Sequence, residues 1–284
     1  MRQLFDIKHE VDMAGVLVEL TSAFEGIAST RISQVKVQTQ RSQKFFADLW
    51  QIYSQIRVGK EFHFGRSLQA GPIVNKELMI LITSEGSFSG DIDQRLVNEA
   101  LDHYRPEGND IIVVGHHGAV QLHQSHVQPI QHYRMPVSDQ NLNVAPLIEQ
   151  VLKYAEAIVY YQSYQSLLVQ NVQTIKLSAA VAERGANVET AGEIIAETNY
   201  IFEPSAHAVV DHLERSMMQI SLSEAILQSK LAQYASRFRA MRAAREKADD
   251  SYTDIRWQYN RASRQLKDER LKEIINGLRK KGTG

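Results

Sequence analysis

All six prolines of this 284-residue chain lie between Pro72 and Pro204, so residues 1–71 and 205–284 contain none. A proline inside a helix costs about 3 kcal/mol, because it lacks the N–H and its ring clashes with the preceding turn. Each end is therefore free to form one long helix. At the C-terminal end Leu231, Tyr234, Phe238, Met241, Arg245, Ala248, Tyr252, Ile255, Tyr259, Ala262 and Leu266 alternate steps of three and four without a slip. That is a heptad seam, apolar except at Arg245. A helix of this length needs a partner along one face to be stable. The other proline-free end is the nearest candidate. The expected fold is therefore α/β: a long antiparallel coiled coil of N- and C-terminal helices with a globular insert.

Residues 3–57 read as the first helix. Leu4, Ile7, Val11 and Ala14 open a seam. Leu17, Leu20, Phe24 and Ile27 continue it after a three-residue step that reads as a stammer, and Ile32, Val35, Phe46, Leu49, Tyr53 and Ile56 extend it. Gly59, Gly65, Gly71 and Pro72 end the pattern. The C-terminal helix runs from about Ser205 to Lys281, with Pro204 at its start. These spans predict helices of roughly 80 and 110 Å.

The middle changes period. Glu77–Thr83 and Asp110–Val114 are short apolar runs between turn signals, and read as buried strands. Asp91–Tyr104 and Ala145–Tyr161 read as helices. Ser163–Lys176 has a strand-like mixture, Gln173–Ala180 is read as an edge strand, and Asn187–Asn199 as a polar turn or hairpin. Strand, helix, strand, helix predicts a Rossmann-like parallel layer. The expected division is a coiled-coil arm over 1–58, an α/β domain over 72–204 and a second arm over 205–284.

The chain has no cysteine, which excludes disulfides, thiolate nucleophiles and cysteine-ligated metals. Net charge is −1, so no basic face argues for nucleic acid. The N-terminus is not a signal peptide, and no run approaches the 18 or so apolar residues of a membrane span. Thr83–Gly90 follows a strand and opens a helix, where doubly wound folds bind phosphate. It carries neither dinucleotide nor P-loop glycines, and Glu85 would repel a phosphate. No cofactor is expected. Five histidines, His116, His117, His123, His126 and His132, fall close together. His123 and His126 have a spacing that could share a metal. No carboxylate or cysteine completes a set, and the Gln- and Ser-rich flanks equally fit an exposed loop or a partner contact. A trio of Ser87, His117 and Asp91 could be assembled, but without a nucleophile elbow. No catalytic residue is expected.

Tyr259-Asn-Arg-Ala262, followed by Glu273-Ile-Ile-Asn-Gly277, resembles the end of the gamma subunit of F-type ATP synthases. Ala240-Met241, the alanine-rich stretch to Ala248 and Asn199–Ser205 also resemble that family. So do Ile82-Thr-Ser-Glu85 with Gly90, and Leu20-Thr-Ser-Ala-Phe24 with Ile27-Ala28. The resemblance covers nearly the whole chain in one order. Departures accompany it. Ile7–Met13 and Glu19 replace bases of the family's first helix. Asp268 and Arg270 stand at its signature threonine and glutamate. Ser263 and Arg264 stand at its arginine–glutamine pair. The resemblance therefore implies a divergent or alternative member.

The resemblance implies a non-catalytic central shaft that couples ion-driven rotation of a membrane c-ring, hydrogen ion transport included, to ATP synthesis or hydrolysis. Implied partners are the alpha and beta subunits, the epsilon subunit and the c-ring. The implied place is peripheral, at the cytoplasmic face of a bacterial-type inner membrane. Implied subunit-interface residues are Phe24, Arg237, Arg242, Arg261, Arg264, Asp268 and Arg270, with Arg245 at a gap in the seam. Two rivals stand beside it. One is an enzyme of the middle domain with the arms as an oligomerisation handle. The other is a coiled-coil scaffold derived from the same fold without rotary coupling.

Overall fold

The computed structural model describes residues 4–56, 74–86, 88–140, 142–177 and 201–281. The glycines and proline expected to end the first helix, Ser87, the last residues of the expected edge strand and the turn at Asn187–Asn199 lie outside them. Helix α1 spans Leu4–Gln55. Strand β1 (Val74–Ile82), helix α2 (Ile92–His103), strand β2 (Asn109–Val114), helix α3 (His116–Gln124) and strand β3 (Gln131–Tyr133) follow. Then come helix α4 (Ala145–Val151), strand β4 (Tyr154–Tyr164), strand β5 (Gln170–Lys176) and helix α5 (Ala206–Lys281). Ser205 caps α5, its Oγ accepting the Ala208 N–H at 3.2 Å. Two compact units are present: Met1–Ile27 with Phe238–Gly284, and Ala28–Arg237.

In the second unit the sheet order is β3-β2-β1-β4-β5. β1 pairs in parallel with both β2 and β4, β2 pairs in parallel with β3, and β5 runs antiparallel along β4. Successive side chains of a strand face opposite sides, so the two buried strands supply both cores. Leu78, Ile80, Ile82, Ile112 and Val114 join α4, Phe46 of α1 and Met217, Met218, Leu222 and Ile226 of α5. Met79, Leu81, Ile111 and Val113 face α2 and α3 through Leu96, Val97, Ala100 and Leu122. The result is three layers.

Three expectations are corrected here. Ala145–Tyr161 is not one helix: α4 stops at Val151 and Tyr154–Tyr164 is a sheet strand. Its apolar and aromatic run fits either state, and pairing with β1 decides it. The histidine-rich stretch is not a loop from its start, because His116–Gln124 forms α3, with Leu122 on the core.

The third correction concerns the α1 seam. Its inner positions in the first unit are Ile7, Val11, Ala14, Val18, Thr21 and Glu25, all buried or half-buried. In the second unit they are Ala28, Ile32, Val35, Thr39, Ser42, Phe46, Leu49 and Tyr53. Steps of four and three alternate throughout, so there is no stammer. Leu17, Leu20, Phe24 and Ile27 are exposed beside this face. Two polar seam residues bond back onto their own helix: Thr21 Oγ1 donates to Leu17 O at 2.8 Å and Thr39 Oγ1 to Val35 O at 3.0 Å. Glu25 Oε2 meets Arg245 Nη1 at 2.8 Å. The charged breaks of the two seams therefore face each other.

Both units pair α1 with α5 in antiparallel fashion. In the second, Tyr53 donates to Glu214 at 3.1 Å, Gln43 to Glu224 at 3.1 Å, and Val35 packs on Leu227 and Leu231. Burial, and then Glu214, push the Tyr53 phenol well above its usual range. In the first, a Cβ on Gly15 would touch Tyr252 at 3.5 Å, beyond the Glu25–Arg245 pair.

Candidate functional site

Doubly wound sheets bind ligands at the carboxyl ends of strands where the connection reverses direction. Here that point lies between β1, which leads outward to β2, and β4 on its other side. The crevice is filled by the chain itself. Ser229 of α5 donates its one hydroxyl proton to Gln162 Oε1 of β4 in a short hydrogen bond, and its Oγ lies 3.4 Å from Ile82 O at the end of β1. Gln233 Nε2 donates to Ser229 Oγ at 2.9 Å and reaches Gln162 Oε1 at 3.4 Å. Gln162 Nε2 donates to Asp93 Oδ1 at 2.9 Å. Further along α5, Ser236 Oγ donates to Ser89 O at 2.6 Å. Gln162 and Ser229 are fully buried.

The structure does not assemble the trio of Ser87, His117 and Asp91 that the sequence would allow. Ser87 lies outside the described residues, and Asp91 is exposed and pairs with Arg95 at 3.3 Å. His117 Nδ1 instead lies 3.1 Å from Ser84 Oγ and 3.3 Å from Asp93 Oδ2. Ser84 also donates its N–H to Asp93 Oδ1 at 3.0 Å and its hydroxyl to Oδ2 in a short bond. Serine and carboxylate share one imidazole nitrogen, whereas a nucleophilic triad places them on opposite nitrogens. Ser84 is also fully buried. The cluster is a structural tie between β1, α2 and α3.

Glu85 sits at the start of α3, where its carboxylate meets free backbone N–H groups. Its Oε2 accepts the N–H groups of His116 and Met135, each at 3.2 Å. The β2–α3 turn closes tightly on Thr83: Gly115 has φ +106°, and a Cβ there would lie 2.1 Å from Thr83 O. His123, His126 and His132 are exposed on α3, the turn after it and β3. No group of three or more metal-ligating side chains converges among the described residues. No described helix is long and apolar enough to cross a membrane.

The interface candidates are dispersed. Arg237, in the second unit, lies 5.6 Å from the Tyr234 ring and donates to Gly86 O at 3.4 Å, so it is half-occupied by its own chain. In the first unit Phe24 is 42% exposed. Arg242 pairs with Glu246 at 3.3 Å, and Arg261 sits 5.7 Å from the Trp257 ring. Arg264, Asp268 and Arg270 are exposed. Arg245 is not an open gap but a seam ion pair. An unbroken heptad through Glu25 was the sequence signal for that pair. A buried cluster that sequence reading missed joins Lys230 Nζ to Asp139 Oδ1 at 2.6 Å and to Ser138 O at 3.1 Å. Arg31 Nη1 lies 3.6 Å from the other Asp139 oxygen.

A family model described as ATP synthase matches residues 3–279. An ATP synthase gamma chain of Chlorobaculum parvum is 25% identical over 98% of both chains. One of Geotalea uraniireducens is 22% identical over the same shares. Among solved structures, the rotor of the Euglena gracilis mitochondrial ATP synthase aligns with a TM-score of 0.61 at 14% identity, covering 93% of this chain and 98% of the other. The central stalk and c-ring structure from Tetrahymena thermophila aligns with 0.54 at 17% identity, covering 79% and 99%. Two long end helices around an inserted sheet are thus matched along almost the whole length by sequence and by fold, and the chain belongs to the ATP synthase family.

Proposed function

We propose that this chain is the gamma-type central shaft of a rotary ATP synthase or ATPase, coupling rotation of an ion-driven c-ring to ATP synthesis or hydrolysis in an alpha/beta ring. The observation that carries the reading is the family match across residues 3–279, on a chain whose ligand crevice is filled by its own helix. The shaft is non-catalytic in this reading. Its work is mechanical, and coupling between shaft angle and nucleotide affinity is reciprocal. Its partners are the alpha and beta subunits, the epsilon subunit and the c-ring. It sits peripherally at the cytoplasmic face of a bacterial-type inner membrane. Residues 1–58 and 205–284 serve as arms around an α/β domain at 72–204.

Exposed apolar residues in the first unit support a sheathed arm. Phe5, Leu17, Leu20, Phe24, Ile27 and Trp257 would otherwise meet water. Phe24, Arg237, Arg242, Arg261, Arg264, Asp268 and Arg270 are the proposed contacts to the ring, with Arg242, Arg261 and Arg264 supplying most of the charge. Each exposed pair is worth at most about 1 kcal/mol, so single changes are mild. The triple change of Arg242, Arg261 and Arg264 to alanine should uncouple ATP turnover from ion transport or weaken assembly with alpha and beta subunits. Unaltered assembly and coupling would refute the arginine contacts. A complex that couples equally well without this chain would refute the shaft itself.

A further inference from the structure

We infer that the polar patch Gln162–Ser229–Gln233 is a register lock that carries torque between the sheet and α5, an inference that rests on the shaft reading. In a rotary shaft, turning force applied to the sheet must reach the long helices without slip. Burial of apolar surface is non-directional and by itself does not choose one register. Hydrogen bonds lose strength steeply as their angles open, so they define one register. Buried polar groups serve that purpose best where a single alignment must be chosen.

From Ser216 to Arg237 no residue of α5 is exposed, the segment lying between α1 and the sheet. Apolar residues would fill that space without specifying an angle. Instead, three separate ties fix it. Ser229 and Gln233 grip Gln162, and Ser229 reaches the end of β1 through Ile82 O. Ser236 grips the β1–α2 loop through Ser89 O. Lys230 grips the loop before α4 through Asp139, whose other oxygen faces Arg31 of α1. Anchors on β1, β4, two loops and both helices triangulate the joint. Gln162 is the central positioning residue, because Asp93 in turn holds its amide nitrogen.

The test uses the whole rotary complex in sealed vesicles, with Gln162→Leu, Ser229→Ala and Gln233→Leu combined. Removing these three together by groups of similar size takes one donor from the buried Asp93 Oδ1, which keeps the Ser84 N–H, and leaves the rest of the patch without stranded partners, so most of the folding stability should hold. The expected result is a melting temperature and an initial rate of ATP hydrolysis like the parent's, with loss of ATP-driven ion accumulation once a steep opposing gradient has built up. A variant that sustains the parental gradient overturns the lock. So does a variant in which hydrolysis and transport fall in proportion, because that is a general structural defect. Should the triple variant fail to assemble, Ser229→Ala decides: loss of the sustained gradient, restored by the hydroxyl-bearing Ser229→Thr, supports the lock, and an unchanged gradient overturns it. The same vesicles prepared without this chain separate the two claims. If they couple normally, it is the shaft reading that falls.

Discussion

Lys230 and Asp139 form an ion pair whose side chains are 4% and 9% exposed. Replacing Lys230 by methionine keeps the stem and removes the charge, which strands the Asp139 carboxylate. Breaking one side of a buried pair costs about 3–5 kcal/mol. Arg31 remains 3.6 Å from the second oxygen, with a side chain 44% exposed, so part of the charge stays compensated. The expected loss is therefore at the lower end, about 3 kcal/mol. Adding Asp139→Leu removes the stranded charge and lets Arg31 return to water. The double variant should then fall within about 1 kcal/mol of the parent, since a buried pair and an apolar replacement are often equivalent. Equilibrium urea unfolding of the purified chain, followed by circular dichroism, measures the cycle. A coupling of at least about 2 kcal/mol is expected between the two sites. A Lys230→Met cost under about 1 kcal/mol, or a double variant equal to the sum of the two singles, would refute the argument that this pair is desolvated.

Gly115→Ala should be among the most damaging single changes, costing about 3 kcal/mol or more, because it combines a glycine-only φ with a Cβ driven onto Thr83 O. Thermal unfolding reads this, and a loss below about 1 kcal/mol would show that the turn relaxes freely. The Tyr154 phenol is pushed up to about 12, first by burial and then by its hydrogen bond to Asp110. A raised pKa means the folded state holds the proton more tightly. Its stabilisation is thus complete below the ordinary value of 10.0 and is lost as pH climbs toward about 12. Ultraviolet titration of the phenolate, compared with Tyr154→Phe, checks this, and a transition at the ordinary tyrosine value would refute it. Arg245→Leu should cost less than Arg245→Ala, because leucine continues the seam while alanine leaves a gap beside Glu25. The order of urea midpoints tests that.

Several features of the fold were legible because they depend on local chemistry. Proline-free ends permit unbroken helices, and alternating steps of three and four make one face of each apolar. Continuous apolar runs at Leu78–Ile82 and Ile111–Val114 make strands buried on both faces, and the structure places them side by side. The family motifs were readable for the same reason, since they are contiguous strings. What required tertiary structure is the choice among options that local chemistry leaves equal. Tyr154–Tyr164 is a strand because β1 offers it a parallel partner. Thr21 and Glu25 occupy the inner face of α1, and Leu17, Leu20, Phe24 and Ile27 do not, because the heptad continues unbroken from Ile7 to Tyr53 and Glu25 meets Arg245 on the facing helix. Asp93 rather than Asp91 faces His117, since Asp91 lies just before α2 and two residues carry a side chain about half a turn round, from water to the core. And only the folded chain places Ser229 and Gln233, far along the sequence, in the crevice beside Gln162, because a buried polar group is satisfied by whatever the packing brings within hydrogen-bond reach.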